Sequence, residues 1–258
     1  MQLDAYHSFS VALRDKLAAD PRVLGLVALG SMADQDYAPD QWSDHDFFVI
    51  VEPGQQERFR TELRWLPAHE RIVLALRETD HGLKIVYDDG HLLEFAVFDL
   101  AELELALVNR YRVLFDRGEV APLMAAIAAA TTERSARSSD SDEKLLGQFL
   151  TNLLVGAGRH ARGEQISGRT FVKTHALRHL LVLLERHLPS TDHGLLDNLE
   201  PTRRFERVYS LLGSELNAIL EQPTPQSARE LLALAERELR PYLPDYPARA
   251  AQAIADRL

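Results

Sequence analysis

The 258-residue sequence predicts an α+β protein in two parts, a small mixed sheet flanked by helices and then an all-α helical bundle. Three observations carry that expectation. Helix-like and strand-like patterns alternate up to about residue 130. A polar, Ser-rich stretch follows, TTERSARSSDSD at 131–142, with almost no large apolar side chains. Beyond it the apolar spacing is helical throughout, with no strand candidate. The expected boundaries are therefore a first domain over 1–130, a linker over 131–142 and a helical domain over 143–258.

Taken in order, residues 4–19 space their apolar side chains as an amphipathic helix. Residues 23–29 are an apolar, β-rich run stopped by Gly30, and 46–51 are another, stopped by Pro53-Gly54. Residues 55–65 read as a helix. Residues 71–78, 83–87 and 92–98 read as strands, and Asp88-Asp89-Gly90 is a hairpin turn between the last two. A helix over 100–108, a short strand over 112–115 and a helix over 121–130 complete the first part. In the second part helices are expected over 143–162, 168–188 (stopped by Pro189), 201–220, 226–239 and 246–257.

Apolar residues make up 46% and charged residues 26% of the chain, the balance of a globular protein. There is no cysteine, which excludes a disulfide scaffold, a zinc–thiolate centre and a thiol nucleophile. The N-terminus contains acids and no uninterrupted apolar core, so it does not read as a signal peptide. No run of eighteen apolar residues is present, so no membrane span is expected and the cytoplasm is the expected compartment. The net charge of −10 lies wholly in residues 1–130, which hold 22 acids and 12 bases, while 131–258 hold 17 of each. Asp34, Asp36, Asp40, Asp44 and Asp46 fall within thirteen residues that contain no Lys or Arg. Phosphate backbones call for basic patches, so this balance argues against nucleic acid. It favours cations, either metal ions or a positively charged small molecule; a solvated acidic loop is the alternative. Both a monomer and a homodimer are compatible with the composition.

Within LGSMADQDYAPDQWSDHDFFVIV, residues 29–51, two aspartates open an apolar strand. Side chains alternate along a strand, so Asp44, Asp46, Phe48 and Ile50 share one face and His45, Phe47 and Val49 the other. Two like charges so placed stay ionised cheaply only with a cation between them. A hard ion such as Mg²⁺ takes one or two carboxylates and completes its shell with water and substrate phosphate. Gly30 can adopt backbone angles that bring amides close to a ligand, and Ser31 adds a hydroxyl; such a turn suits phosphate oxygens. One turn offers anion donors and the next strand offers metal ligands, which together fit a metal–nucleoside triphosphate.

Gly30-Ser31, a gap of about a dozen residues, then Asp44-His45-Asp46 followed by Phe47-Phe48-Val49 resembles the signature of the nucleotidyltransferase superfamily related to DNA polymerase beta. The resemblance implies that Asp44 and Asp46 bind the Mg²⁺ that carries the triphosphate, ATP in the antibiotic-adenylating members, and that Gly30 and Ser31 hold its phosphates. It also implies a third carboxylate on a later strand. In HLLEFAVFDL, Glu94 interrupts an apolar strand, and a buried glutamate needs a cation or hydrogen bonds. Glu94 could be a metal ligand, the general base on an attacking hydroxyl, or both. Asp99 competes, but its place at the strand end suits a cap for the helix that follows.

Arg159, Arg162, Arg169 and Lys173 concentrate around Gly163 and Gly168 in the second part, and Arg169 and Lys173 are the candidates for neutralising a triphosphate. This layout is loosely similar to the second domain of aminoglycoside nucleotidyltransferases. Arg169 and His175 also fit the loose R-x5-H spacing of HEPN-type RNases. His175 and His179, at i and i+4, have a possible ligand spacing but no acidic partner in the local sequence. The function implied is Mg-dependent transfer of AMP from ATP to a hydroxyl of a small cationic molecule, an aminoglycoside or lincosamide antibiotic. Alternatives are a protein AMPylator or toxin–antitoxin component of the same superfamily, or a non-catalytic nucleotide-binding module.

Overall fold

The computed structural model describes residues 2–33, 38–137, 140–197 and 199–258. The chain divides into two compact units, Met1–Arg134 and Ser135–Leu258.

In the first unit, helix α1 (Leu3–Ala18) precedes strand β1 (Val23–Leu29), and a single 3-10 turn, Gly30–Ala33, closes that strand. Strand β2 (His45–Val51), helix α2 (Gln56–Thr61), and strands β3 (Ile72–Arg77), β4 (Gly82–Tyr87) and β5 (Leu92–Phe98) follow. Helix α3 (Leu100–Leu103), strand β6 (Tyr111–Asp116) and helix α4 (Val120–Arg137) complete it. The six strands form one mixed sheet in the order β3-β4-β5-β2-β1-β6. Only β2 and β5 run parallel; they need the long crossover through α2, β3 and β4, whereas β4 and β5 are joined by the tight Asp88-Asp89-Gly90 turn. Gly90, at φ 82°, supplies the left-handed conformation that this turn requires.

The central strands are apolar on both faces because both are covered. Leu26, Phe47, Val49, Phe95 and Val97 pack against Leu13 and Leu17 of α1. Val27, Ile50, Ala96 and Phe98 pack with Leu103, Met124 and Ile127 of α3 and α4. Phe47 and Phe95 stack with centroids 4.9 Å apart and fix β2 to β5. Each buried side chain of this kind contributes roughly 2 kcal/mol.

The second unit is helical. It contains α5 (Asp142–Ala161), α6 (Gln165–Thr170), a π-helical segment over Phe171–Ala176, α7 (Leu177–His187), α8 (Phe205–Val208), α9 (Ser210–Glu221), α10 (Thr224–Leu239) and α11 (Ala248–Ala255). Phe149, Leu153, Leu180, Leu184, Leu231 and Ala235 form the heart of its core. Among the described residues no helix is long and apolar enough to cross a membrane.

Five elements differ from their expected extents. The helix expected over 201–220 starts only at Phe205, after Arg204 in the left-handed region, and breaks at Tyr209 into α8 and α9. The helix expected over 55–65 breaks at Glu62, which is extended; a 3-10 turn then swings Trp65 onto Phe95, and its indole donates to the Phe59 carbonyl. The helix expected over 100–108 ends after Leu103; beyond it Leu105 and Leu107 face solvent, while Ala106 and Val108 pack against the core with Leu103. Helix α4 runs through 131–137, into the stretch read as linker. Polarity does not stop it: the Thr131 hydroxyl donates to the Ile127 carbonyl and accepts the Val108 amide, and Thr132 donates to Ala128. Gly168 lies inside α6 rather than at a helix start; a Cβ there would stand 2.7 Å from the Gly156 carbonyl oxygen, so α5 and α6 cross backbone to backbone.

Candidate active site

Three neighbouring strands bring their site residues to the same end of the sheet. β1 and β2 are antiparallel, so the end of β1 lies beside the start of β2; β2 and β5 are parallel, so the start of β5 lies there too. Gly30 turns the chain out of β1 with φ 49°, in the left-handed region. Ser31 follows, 8% exposed, and its Oγ has no hydrogen-bond partner. A buried hydroxyl left in this state costs about 1–3 kcal/mol, which a ligand oxygen would recover.

Asp46 stands directly beside Glu94 in the β2–β5 ladder, and Asp44 lies one alternation earlier on the same face. Asp44, Asp46 and Glu94, all half-buried, each offer a carboxylate oxygen within 4.8 Å of the others. This is the only group of three or more such side chains among the described residues with metal-ligand spacing. The donors are oxygens only, all anionic when ionised and fixed by paired strands. That set fits a hard divalent ion such as Mg²⁺.

Lys84 extends the same rung. It is the β4 partner of Glu94, and its Nζ lies 3.2 Å from Glu94 Oε1 and 2.9 Å from Glu78 Oε1. The two carboxylates hold its ammonium above the usual lysine range, Glu78 more strongly than Glu94. Sequence reasoning passed over Lys84, although a hairpin turning at Asp88-Asp89-Gly90 places residue 84 opposite residue 94.

The reverse face of β2 anchors the aspartates. His45 is fully buried, stacked on Tyr6 at 3.8 Å, with Nδ1 2.8 Å from His91 Nε2 and Nε2 2.8 Å from Ser10 Oγ. Tyr6 in turn donates its hydroxyl to the Asp44 carbonyl at 3.0 Å. Burial pushes the pKa of His45 down to about 3, with the neighbouring His91 adding to it, and burial pushes His91 to about 4. Both rings are neutral at pH 7. They tie α1 and the start of β5 to the back of the strand that presents Asp44 and Asp46. Periodicity placed His45 on the face opposite Asp44 and Asp46 but could not reveal its partners.

Asp99 caps α3, accepting the Glu102 amide at 2.8 Å and the Gln56 side-chain amide at 2.6 Å. Asp34 and Asp36 of the acidic stretch fall outside the described residues. Trp42 is 85% exposed, on a turn where its amide donates to Asp40 Oδ1. Arg169 is exposed on α6 in the second unit. Lys173, in the π-helical segment, donates to the carbonyls of Leu220 and Gln222 at the end of α9, and burial lowers its pKa. The triphosphate role expected of Lys173 thus meets a side chain already committed to capping a helix. Arg159 lies over the Phe171 ring and donates to Ser167, and Arg162 pairs with Glu164.

No family model matches the chain, and no curated protein matches it. Among solved structures, the chain is similar over 95% of its length to 97% of an aminoglycoside 6-adenyltransferase from Bacillus subtilis, with 16% identity and a TM-score of 0.37. It is also similar over 91% of its length to 74% of a nucleotidyltransferase-like protein from Exiguobacterium sibiricum, with 16% identity and a TM-score of 0.31.

Proposed function

We propose that this protein transfers a nucleoside monophosphate, AMP from ATP, to a hydroxyl of a small cationic molecule of the aminoglycoside or lincosamide class. The observation that carries the reading is the convergence of Asp44, Asp46 and Glu94 within 4.8 Å, at the sheet end where the Gly30–Ser31 turn leaves β1. Asp44 and Asp46 would hold Mg²⁺, with Glu94 as a third ligand or as base. When bound, the ion supplies positive charge for the phosphate oxygens.

The chain's own groups divide the remaining work. The backbone amides of the turn and the Ser31 hydroxyl donate to phosphate oxygens and orient the triphosphate. Glu94, ionised, accepts the proton of the acceptor hydroxyl. The acceptor oxygen forms its bond to the α-phosphorus as the bond from that phosphorus to the bridging oxygen breaks, and pyrophosphate leaves with that oxygen. The acidity of residues 1–130, 22 acids against 12 bases, favours a cationic acceptor.

Incubation with α-labelled ATP, Mg²⁺ and a panel of aminoglycosides and lincosamides tests this. Label on at least one drug, lost in Asp44→Asn and Asp46→Asn, is the expected result. Label on a protein band instead identifies a protein AMPylator, and ATP binding with no transfer to any acceptor identifies a nucleotide-binding module. Either outcome overturns the antibiotic reading.

A further inference from the structure

The rung through Asp46 and Glu94 continues onto Lys84 of β4, and the Lys84–Glu94 pairing bears on how the three carboxylates share their work. The Lys84 ammonium sits on Glu94 Oε1 at 3.2 Å and is held from its other side by Glu78 at 2.9 Å. A lysine ammonium is a compact point charge with three donors; it lacks the planar fork with which arginine engages both oxygens of one carboxylate. One Glu94 oxygen is therefore committed to Lys84, while an oxygen of the same carboxylate still belongs to the group within 4.8 Å.

We infer that Lys84 is a positioning residue for this site: it fixes the Glu94 carboxylate against β4 and acts as a built-in counter-cation to the Asp44–Asp46–Glu94 group. The inference rests on those carboxylates being the ion-binding group proposed above. Three carboxylates this close repel one another, and an ammonium on the outer one offsets part of that repulsion. The same ammonium competes electrostatically with any ion that Glu94 would help to hold. It thereby leaves Asp44 and Asp46 as the principal ligands and keeps Glu94 aimed for its reaction with the acceptor. Glu78 keeps the ammonium in its place on the strand.

Removing the ammonium should move two measurements in opposite directions. In Lys84→Met the apolar stem remains and the charge goes. Titration calorimetry of the ATP-free protein with Mn²⁺ should show affinity about tenfold tighter than wild type, because a nearby positive charge is gone. AMP transfer should lose about tenfold in kcat with KM for ATP little changed, because Glu94 is no longer held. A merely structural role would weaken both. Glu78→Gln, an exposed change, releases the ammonium onto Glu94 alone and should weaken Mn²⁺ binding by about two- to threefold. Mn²⁺ affinity unchanged or weaker in Lys84→Met, or tightened in Glu78→Gln, overturns the inference. Asp44→Asn serves as the reference: if it leaves Mn²⁺ binding unaltered, the metal reading itself has failed, independently of Lys84.

Discussion

Acidification should loosen the strand that carries Asp44 and Asp46, because two neutral histidines are buried behind it. The unfolded chain protonates each near pH 6.5, whereas the folded chain holds His45 at about 3 and His91 at about 4. A base whose pKa is depressed by folding leaves the unfolded state with more bound protons as pH falls below 6.5. Stability is therefore complete above that value and declines on acidification until the folded values are reached. At pH 5 each ring contributes a loss of about 2 kcal/mol relative to pH 8, and the pair about 4 kcal/mol. The geometry gives the same sign: with both rings protonated, His45 Nδ1 and His91 Nε2, 2.8 Å apart, would be two donors facing each other. Urea unfolding at pH 8 and pH 5 measures the loss, and His45→Gln/His91→Gln isolates it from other titrating groups. The double variant is less stable at pH 8 but should lose about 4 kcal/mol less on acidification. Equal losses in the variant and the wild type would refute the reasoning.

Other outcomes follow from single contacts. Ser31→Ala removes a buried hydroxyl that bonds to nothing, so thermal unfolding should show stability unchanged or raised by about 1 kcal/mol; nucleotide binding, followed by calorimetry with Mg-ATP, should weaken several-fold. Gly168→Ala places a Cβ 2.7 Å from the Gly156 carbonyl and 2.9 Å from the His160 amide nitrogen. Backbone cannot yield there cheaply, and chemical denaturation should show a loss of roughly 2 kcal/mol or more. Glu185 has a carboxylate oxygen with no partner, and burial, helped by the Asp197 charge, raises its pKa to about 7. Its folded state holds a proton that the unfolded state gives up near 4.5, so its contribution falls as pH rises through 7. Glu185→Gln should therefore stabilise the protein by roughly 2 kcal/mol at pH 8.5 and by under about 1 kcal/mol at pH 5, measured by denaturant unfolding.

Much of the first unit was legible because its strands carry strong local signals. The run from Val23 to Leu29 and the run from Leu92 to Phe98 end where β1 and β5 end, each stopped by a residue with a physical reason to stop it. Alternation placed Asp44, Asp46 and Glu94 facing one way. Their convergence needed β2 and β5 to be neighbours, which no local pattern states. What stayed hidden depends on reach between distant segments. Lys173 meets carbonyls more than forty positions away, and His45 finds Ser10 on α1 and His91 in the connection between β4 and β5. A cation or an imidazole in isolation reads the same whether it binds a ligand or completes a core. The polar stretch at 131–137 misled for a related reason, since Thr131 is polar in composition but satisfied within its own helix.

The parallel pairing of β2 with β5 also bears on how the chain acquires this site. Asp46 and Glu94 are roughly fifty positions apart, and their rung closes only when β3 and β4 have formed and β5 has slotted in beside β2. During synthesis, a nascent chain that has emerged only as far as β4 presents Asp44 and Asp46 without Glu94. Contacts this remote in sequence form late and slowly, after the loop-closure entropy has been overcome. On the proposed reading, Glu94 would add its carboxylate only once β5 is in place, so a partly folded intermediate lacking β5 would hold a divalent ion more weakly and the ion would favour the completed fold by mass action.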